Sequence, residues 1–348
     1  MAINPDQAPA GAGPPLQAGG EPVPTGAGPG DHDRYGVVAT EVHRYFGAVR
    51  AVNGVSLRAR KGAVTALIGP NGSGKTTLLL VLAGLLTPNS GSVRVAGLDP
   101  VTQNSLARTK TGWMPDVFGT WDSLTAREVL TTVADAYLIP RDIAGPRVTG
   151  LLGLVHLDEY SDRPAHVLSR GQKQRLGLAR ALVHDPEVLL LDEPASGLDP
   201  RSRVDLRHLL RDLASDGVTV LVSSHVLSEL DELADDAVFI SRGTTVASET
   251  MAAASNALRP WRIGTLSLSV LTAWLTDSDV VWRPMPGHPP GIDLPHDEPG
   301  AVLVDLAGAL QASELLARMV GARLPVSSLA PAAGALEQAY LALDEERR

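Results

Sequence analysis

The stretch Gly69-Pro70-Asn71-Gly72-Ser73-Gly74-Lys75-Thr76 decides the fold. It meets the phosphate-binding pattern G-x-x-x-x-G-K-[ST] at every fixed position. One apolar run, residues 63–68, precedes it, and another, residues 77–86, follows it. That order predicts a buried strand, a glycine-rich turn and a helix. The glycines let the backbone bend so that successive N–H groups face phosphate oxygens. A helix beginning near Gly74 sets the positive end of its dipole beneath the anion. Lys75 is placed to reach the β- and γ-phosphates and to act in catalysis, and Thr76 to ligate Mg²⁺. The expected nucleotide-binding residues are thus Gly69, Pro70, Asn71, Gly72, Ser73, Gly74, Lys75, Thr76 and Thr77. Their context disfavours the alternative of a glycine turn that matches by chance.

Outward from this turn, residues 37 to 248 alternate short Val/Ala/Leu/Ile runs with longer helical stretches. Central strands are predicted at 63–68, 112–114, 188–191, 219–222 and 237–240. Near-continuous apolar strands between helices imply a mainly parallel sheet covered on both faces. Residues 125 to 185 lack strong strand signals and read as a helical insert. Leu206, Leu209, Leu210 and Leu213 recur at helical spacing and read as a core face.

Residues 1–34 are rich in Pro, Gly and Ala, and the tail is expected to be disordered because it buries too little apolar surface. A linker is expected over 249–263 and a small α+β domain over 264–348. Within that domain, strands are predicted at 302–306 and 324–329, and helices at 309–320 and 334–343. The loop 287–300 carries His288 and His296, eight apart; they read as solvated loop residues rather than metal ligands.

Composition narrows the function. The 348 residues are 44% hydrophobic, enough for a sizeable core. A net charge of −9 argues against nucleic acid as the main partner, since such partners call for a basic face. With no cysteine, disulfides, thiolate metal sites and cysteine nucleophiles are excluded. No apolar run approaches the roughly 18 residues that a bilayer span needs, and the N-terminus lacks a signal-peptide pattern.

Two further motifs bear on chemistry. Residues 187–193 form an apolar strand that ends in Asp192 and Glu193. Strand side chains alternate, so one carboxylate can face Mg²⁺ beside Thr76 while the other polarises a water. Asp192 takes the metal role and Glu193 the general-base role, worth roughly 10²–10⁴-fold in rate. Leu168-Ser169-Arg170-Gly171-Gln172 precedes a helical run, with Ser169 at the N-cap. It reads either as a simple cap or as a set of donors to a phosphate.

The order of these motifs, continued by Ser196-Gly197-Leu198-Asp199-Pro200 and Ser223-Ser224-His225, resembles the ATP-binding cassette family over about residues 37 to 248. The resemblance implies a P-loop cassette with a mainly parallel sheet core and a helical subdomain. It implies two cassettes packed head to tail, most simply as a homodimer, with ATP and Mg²⁺ between them. Ser169, Gly171 and Gln172 would then serve the γ-phosphate on the opposite subunit. Glu193 would be the general base, Asp199 would couple the two sites, and His225 would contact the γ-phosphate and the attacking water. Phe46 sits where the family places an aromatic that stacks on adenine, although the neighbouring Tyr45 competes for that role. The chain's end, 336–343, resembles that of bacterial exporter-type cassettes. That subclass works with a separate membrane permease at the cytoplasmic face of the membrane.

Two positions depart from the family pattern. Asp116 follows Trp113-Met114-Pro115 where glutamine is usual. It can ligate Mg²⁺ but adds negative charge, so it is expected to retain ATPase activity with altered Mg²⁺ dependence. Arg170 replaces a glycine and reads as a surface side chain. The competing functions are a ribosome- or DNA-directed cassette, a non-hydrolysing regulator and a small-molecule P-loop kinase. The single cassette and the acidic charge disfavour the first. Lys75, Asp192, Glu193 and His225 disfavour the second, and Ser169 with the 196–200 loop disfavours the third.

Overall fold

A computed structural model describes residues 31–117, 119, 123–285 and 298–345. Most of the expected disordered tail, and both His288 and His296, lie outside the described residues. The last four residues assigned to the tail are instead helical, α1 (Asp31–Arg34).

The chain then forms a long hairpin, β1 (Tyr35–Phe46) and β2 (Val49–Arg60), followed by β3 (Val64–Ile68) and α2 (Lys75–Leu82). β4 (Ser90–Val95) joins β1 on its far side, giving an antiparallel sheet of order β2-β1-β4. The sequence reading, which saw a mainly parallel core, missed this sheet. Its signal is the alternation in β2, where Val55, Leu57 and Ala59 are buried between more exposed Ser56, Arg58 and Arg60.

Next come α3 (Asn104–Thr109), β5 (Thr111–Met114), α4 (Ala126–Ala136), α5 (Arg141–Leu154), α6 (Arg170–Leu182), β6 (Val188–Asp192), α7 (Pro200–Ser215), β7 (Thr219–Ser224), α8 (Leu227–Asp231), β8 (Asp236–Ser241) and β9 (Thr244–Thr250). The central sheet has the order β5-β6-β7-β3-β8-β9, parallel except for the edge strand β9. All five residues of β3 and of β6 are buried, as a sheet covered on both faces requires.

The core has two parts. One lies between the two sheets and encloses α2, whose Leu78, Leu79, Val81 and Leu82 are fully buried. The continuous apolar run that follows the polar first turn belongs in such a place. The other part covers the opposite face of the central sheet and runs into α4, α5 and α6. A capping box starts α4: Thr125 accepts from the Glu128 N–H, and Glu128 accepts from the Thr125 N–H.

The expected linker at 249–263 is ordered. It holds α9 (Met251–Asn256), capped by the Thr250 hydroxyl, and most of β10 (Leu258–Thr265). Buried Trp261 and Ile263 flank exposed Arg262, the alternation of a strand. After β10 come α10 (Leu268–Asp277), β11 (Trp282–Pro284), β12 (Gly300–Ala307), α11 (Gly308–Gly321) and β13 (Val326–Pro331). The order β-α-β-β-α-β and the antiparallel sheet β11-β12-β10-β13 define a ferredoxin-like split βαβ unit. The sequence reading missed α10, though Leu268, Leu271 and Leu275 are all buried at helical spacing.

The last helix, α12 (Ala335–Glu345), leaves this unit. Fully buried Leu336 belongs to the core of the central sheet, and its N–H donates to Asp231 Oδ1 of α8 at 2.8 Å. A 264–348 domain therefore does not describe the packing, because the chain returns to the cassette after Pro331.

Candidate active site

The sheet register gathers the site on one edge. Ile68 pairs with Ser224, Asp192 with Ser223, and Met114 with Leu191. The phosphate loop after β3, the carboxylates after β6, His225 after β7 and Asp116 after β5 all leave the strands at their C-terminal ends. That is where open α/β sheets bind ligands.

Two glycines make the loop possible. A Cβ on Gly69 would stand 2.2 Å from the Ile240 carbonyl oxygen. Gly74 has φ +102°, and a Cβ there would stand 2.2 Å from the Ala51 carbonyl oxygen. The loop is held from outside by the Gly243 N–H, which donates to the Ser73 carbonyl at 3.0 Å. Lys75 Nζ donates to the Gly69 carbonyl at 2.7 Å and the Pro70 carbonyl at 3.3 Å. Burial lowers its pKa, while Glu193 and Asp192 oppose that shift. The Ser73 hydroxyl is buried without a protein partner, a polar atom suited to a ligand oxygen. Thr76 is exposed at the start of α2 and Thr77 half-buried behind it.

Asp192 is 1% exposed, and its Oδ1 accepts from the Ser223 hydroxyl at 2.6 Å. Glu193 has φ +50°, an unusual conformation for a side chain of this kind. The backbone holds it there: its N–H reaches the Ser223 carbonyl at 3.2 Å and hydroxyl at 3.1 Å, and its carbonyl accepts from Gln174 Nε2 at 3.0 Å. The turn aims the carboxylate at His225, whose Nδ1 lies 2.9 Å from Glu193 Oε2. Ser223 and Gln174 are thus parts of the site to which the sequence reading gave no role. Both are buried polar residues, and nothing local in the sequence marks them.

Hard oxygen donors from Thr76 and Asp192 suit Mg²⁺ completed by phosphate and water. Among the described residues there is no group of three metal-ligating side chains that would hold an ion by itself.

Ser169 caps α6 in a capping box with Gln172: its hydroxyl accepts from the Gln172 N–H at 3.2 Å, and Gln172 Oε1 accepts from the Ser169 N–H at 2.8 Å. Gly171 abuts the 196–200 loop, where a Cβ would meet the Gly197 carbonyl oxygen at 3.2 Å. Arg170 is exposed, as expected of a surface side chain, and its Nη2 donates to the Ser196 hydroxyl at 2.7 Å. Among the described residues no hydrogen bond joins Ser169, Gly171 or Gln172 to the phosphate loop of the same chain. Asp199 caps α7, accepting from the Ser202 N–H at 3.0 Å and hydroxyl at 2.6 Å, and these bonds lower its pKa.

Asp116 is half-buried, two residues beyond the end of β5. Phe46 is 44% exposed and lies under the Arg44 guanidinium, 4.6 Å from the ring centroid. Tyr45 is tied to His43 by a 2.8 Å hydrogen bond. Phe46 pairs with Val49, two residues before the Ala51 carbonyl that Gly74 approaches.

With this geometry in place, the comparisons with known proteins agree. A family model described as ABC transporter matches residues 52–196. The probable multidrug ABC transporter ATP-binding protein YbhF of Escherichia coli (strain K12) is 42% identical over 174 residues, 50% of this chain and 30% of YbhF. The Nod factor export ATP-binding protein I of Burkholderia lata is 37% identical over 206 residues, 59% of this chain and 68% of that protein. Among solved structures, the dimeric post-hydrolysis cassette MJ0796 bound to ADP and Pi aligns with TM-score 0.57 at 25% identity, covering 62% of this chain and 98% of that one. The chain belongs to the ABC transporter family, in the class of its P-loop ATP-binding cassettes. It spans less than a third of the length of YbhF.

Proposed function

We propose that this protein is the ATP-hydrolysing subunit of an ABC export system and that it powers a separate membrane permease. The observation that carries the reading is the 2.9 Å contact of Glu193 with His225, on the sheet edge that also presents Lys75. In the reaction, water attacks the γ-phosphorus and ADP leaves. Glu193 accepts the proton of the water, and His225 holds the carboxylate and meets the γ-phosphate. Lys75 turns from the Gly69 and Pro70 carbonyls to the β- and γ-phosphates. Mg²⁺, held by Thr76 and Asp192 with Asp116 nearby, would neutralise phosphate charge. Such catalysis is mostly positioning and electrostatics.

Dimerisation supplies Ser169, Gly171 and Gln172 to the second nucleotide and sets Asp199 between the two sites, while Phe46 stacks on adenine. The exposed capped start of α6 fits this role. Among the described residues no helix is long and apolar enough to cross a membrane. That is consistent with a peripheral subunit on the cytoplasmic face. The Nod factor export relative supports the direction of transport.

The test is ATP hydrolysis by purified protein, alone and with membranes that carry its permease, for wild type and Glu193→Gln. Turnover lost in the variant, with ATP-stabilised dimers, is expected. A wild type that binds ATP but never turns it over, even with membranes, would sink the reading.

A further inference from the structure

Helix α7 carries Arg203, Arg207 and Arg211 at intervals of four, on one face of the helix. Across from them stand Glu229, Glu232 and Asp235, at intervals of three, in α8 and the turn that follows. The two sets form a ladder. Arg203 Nη1 meets Glu229 Oε1 at 2.9 Å, Arg207 pairs with Glu232, and Arg211 Nη1 meets Asp235 Oδ1 at 2.7 Å. Behind the rungs lies a cleft of about 320 Å³, lined in part by Val204, Val222, Leu230 and Leu233. On this side, ion pairs bridge the rim of the cleft between α7 and α8.

The rungs end differently. Asp235 Oδ2 also accepts the Val64 N–H at 2.8 Å, which anchors the far rung to β3. At the other end, Arg203 Nε donates to the Leu198 carbonyl at 3.1 Å, inside the loop that carries Asp199. Its partner Glu229 lies four residues after His225, in the helix that His225 leads into. The charges of Glu193 and His225 both reach Glu229, as does that of Arg203, while burial pushes its pKa up. Arg203 therefore joins two parts of the site, the 196–200 loop and the helix that follows His225, in one side chain.

We propose that Arg203 is a positioning residue for ATP hydrolysis. By holding the Leu198 carbonyl and the Glu229 carboxylate together, it keeps His225 against Glu193 and ties that pair to the loop bearing Asp199. The proposal rests on the hydrolytic reading of the site. A half-exposed ion pair adds little to stability, so a purely structural rung and a positioning rung are separable by experiment.

The experiment compares Arg203→Gln, Arg203→Lys and Arg211→Gln in the full chain. Steady-state Mg·ATP turnover is measured, together with the His225 ring ¹⁵N shift in nucleotide-free protein. Arg203→Gln is expected to lower kcat by about tenfold to 100-fold, the scale of a small misplacement. The KM for ATP is expected to stay within about twofold, as when an interaction of the reacting complex is lost. Arg203→Lys keeps the charge but not the fork and recovers part of kcat. Arg211→Gln breaks a comparable rung and leaves kcat and the His225 shift unchanged. Equal losses in Arg203→Gln and Arg211→Gln, or an unmoved His225 shift in Arg203→Gln, would overturn the proposal. If wild type does not hydrolyse ATP, the hydrolytic reading fails by itself, and the His225 shift alone decides the positioning. Should Arg203→Gln not fold, Glu229→Gln breaks the same rung from the other end and is held to the same outcomes.

Discussion

Glu193 Oε2 and His225 Nδ1 stand 2.9 Å apart, the carboxylate side chain 16% exposed and the imidazole 53% exposed. The backbone places both: Glu193 is held at φ +50° by Ser223, and His225 follows directly on the buried end of β7. The contact is therefore imposed by the ends of two adjacent strands. His225→Ala frees the carboxylate to rotate without touching the phosphate loop. ATP turnover is expected to fall by about 10²-fold, within the range of a lost acid–base arrangement. KM for ATP is expected to stay near wild type. An unchanged kcat in steady-state assays would show that the contact has no catalytic part.

His184, in the turn between α6 and β6, gives a pH effect on stability rather than on chemistry. Its ring stacks on Tyr137 with centroids 3.9 Å apart, and its Nε2 lies 3.1 Å from the Thr111 carbonyl. That carbonyl can only accept, so Nε2 carries the proton, and Nδ1 is buried without a partner. Burial, aided by Arg147, lowers the pKa below the ordinary 6.5. The unfolded chain then binds the proton at higher pH than the folded one. Stability attributable to His184 is full above about pH 6.5 and falls as pH drops toward the folded value. Melting temperatures recorded from about pH 7.5 down to about pH 5 should decline in wild type and less steeply in His184→Phe. Parallel curves for the two proteins would exclude the effect.

The central strands, the phosphate loop and the helical insert were legible because each shows a local signal: continuous apolar runs, fixed glycine positions, or helical spacing. The terminal unit was legible only in pieces. Strands over 300–307 and 326–331 and the helix over 308–321 show their periods, but α10 is assigned no element from sequence and most of β10 falls in the expected linker 249–263. In β10 the apolar residues are interrupted by Arg259, Pro260 and Arg262, and only its pairing with both β12 and β13 makes its hydrophobicity coherent. Ser223 and Gln174 were illegible as site residues for a different reason. Their roles consist of hydrogen bonds to the backbone and carboxylates of residues 31 and 19 positions away, and no local pattern encodes such partners. The partner of Arg170 is hidden for the same reason, since Ser196 is 26 positions away.

The placement of α12 predicts where truncation hurts. Leu336 is fully buried in the cassette core, and Gly334 is packed so tightly that a Cβ would stand 1.7 Å from Asp231 Oδ2. Leu336→Ala is expected to cost about 2–5 kcal/mol, as for other buried leucines, and to lower the urea midpoint of the cassette itself. Gly334→Ala is expected to act in the same direction by pushing Asp231 away from the Leu336 N–H. A cassette midpoint unmoved by Leu336→Ala would mean that α12 contributes nothing to that core.

Asp116 sits on the edge that carries Asp192 and Thr76, half-buried and two residues past the end of β5. A second carboxylate here has two opposed effects. It offers a hard oxygen to Mg²⁺, and it adds repulsion toward the γ-phosphate at an effective dielectric where a few ångströms matter. Glutamine is neutral and one methylene longer: it removes the charge, and with it the repulsion and the stronger part of the cation attraction, while keeping a carbonyl oxygen. Asp116→Gln is therefore expected to keep ATP hydrolysis while raising the Mg²⁺ concentration for half-maximal rate by about threefold to tenfold, equivalent to roughly 0.6–1.4 kcal/mol of lost cation attraction. The KM for Mg·ATP at saturating Mg²⁺ is expected to fall, because the repulsion is gone. A Mg²⁺ titration at fixed ATP separates the two effects, and a curve superimposable on wild type would remove Asp116 from the metal's surroundings.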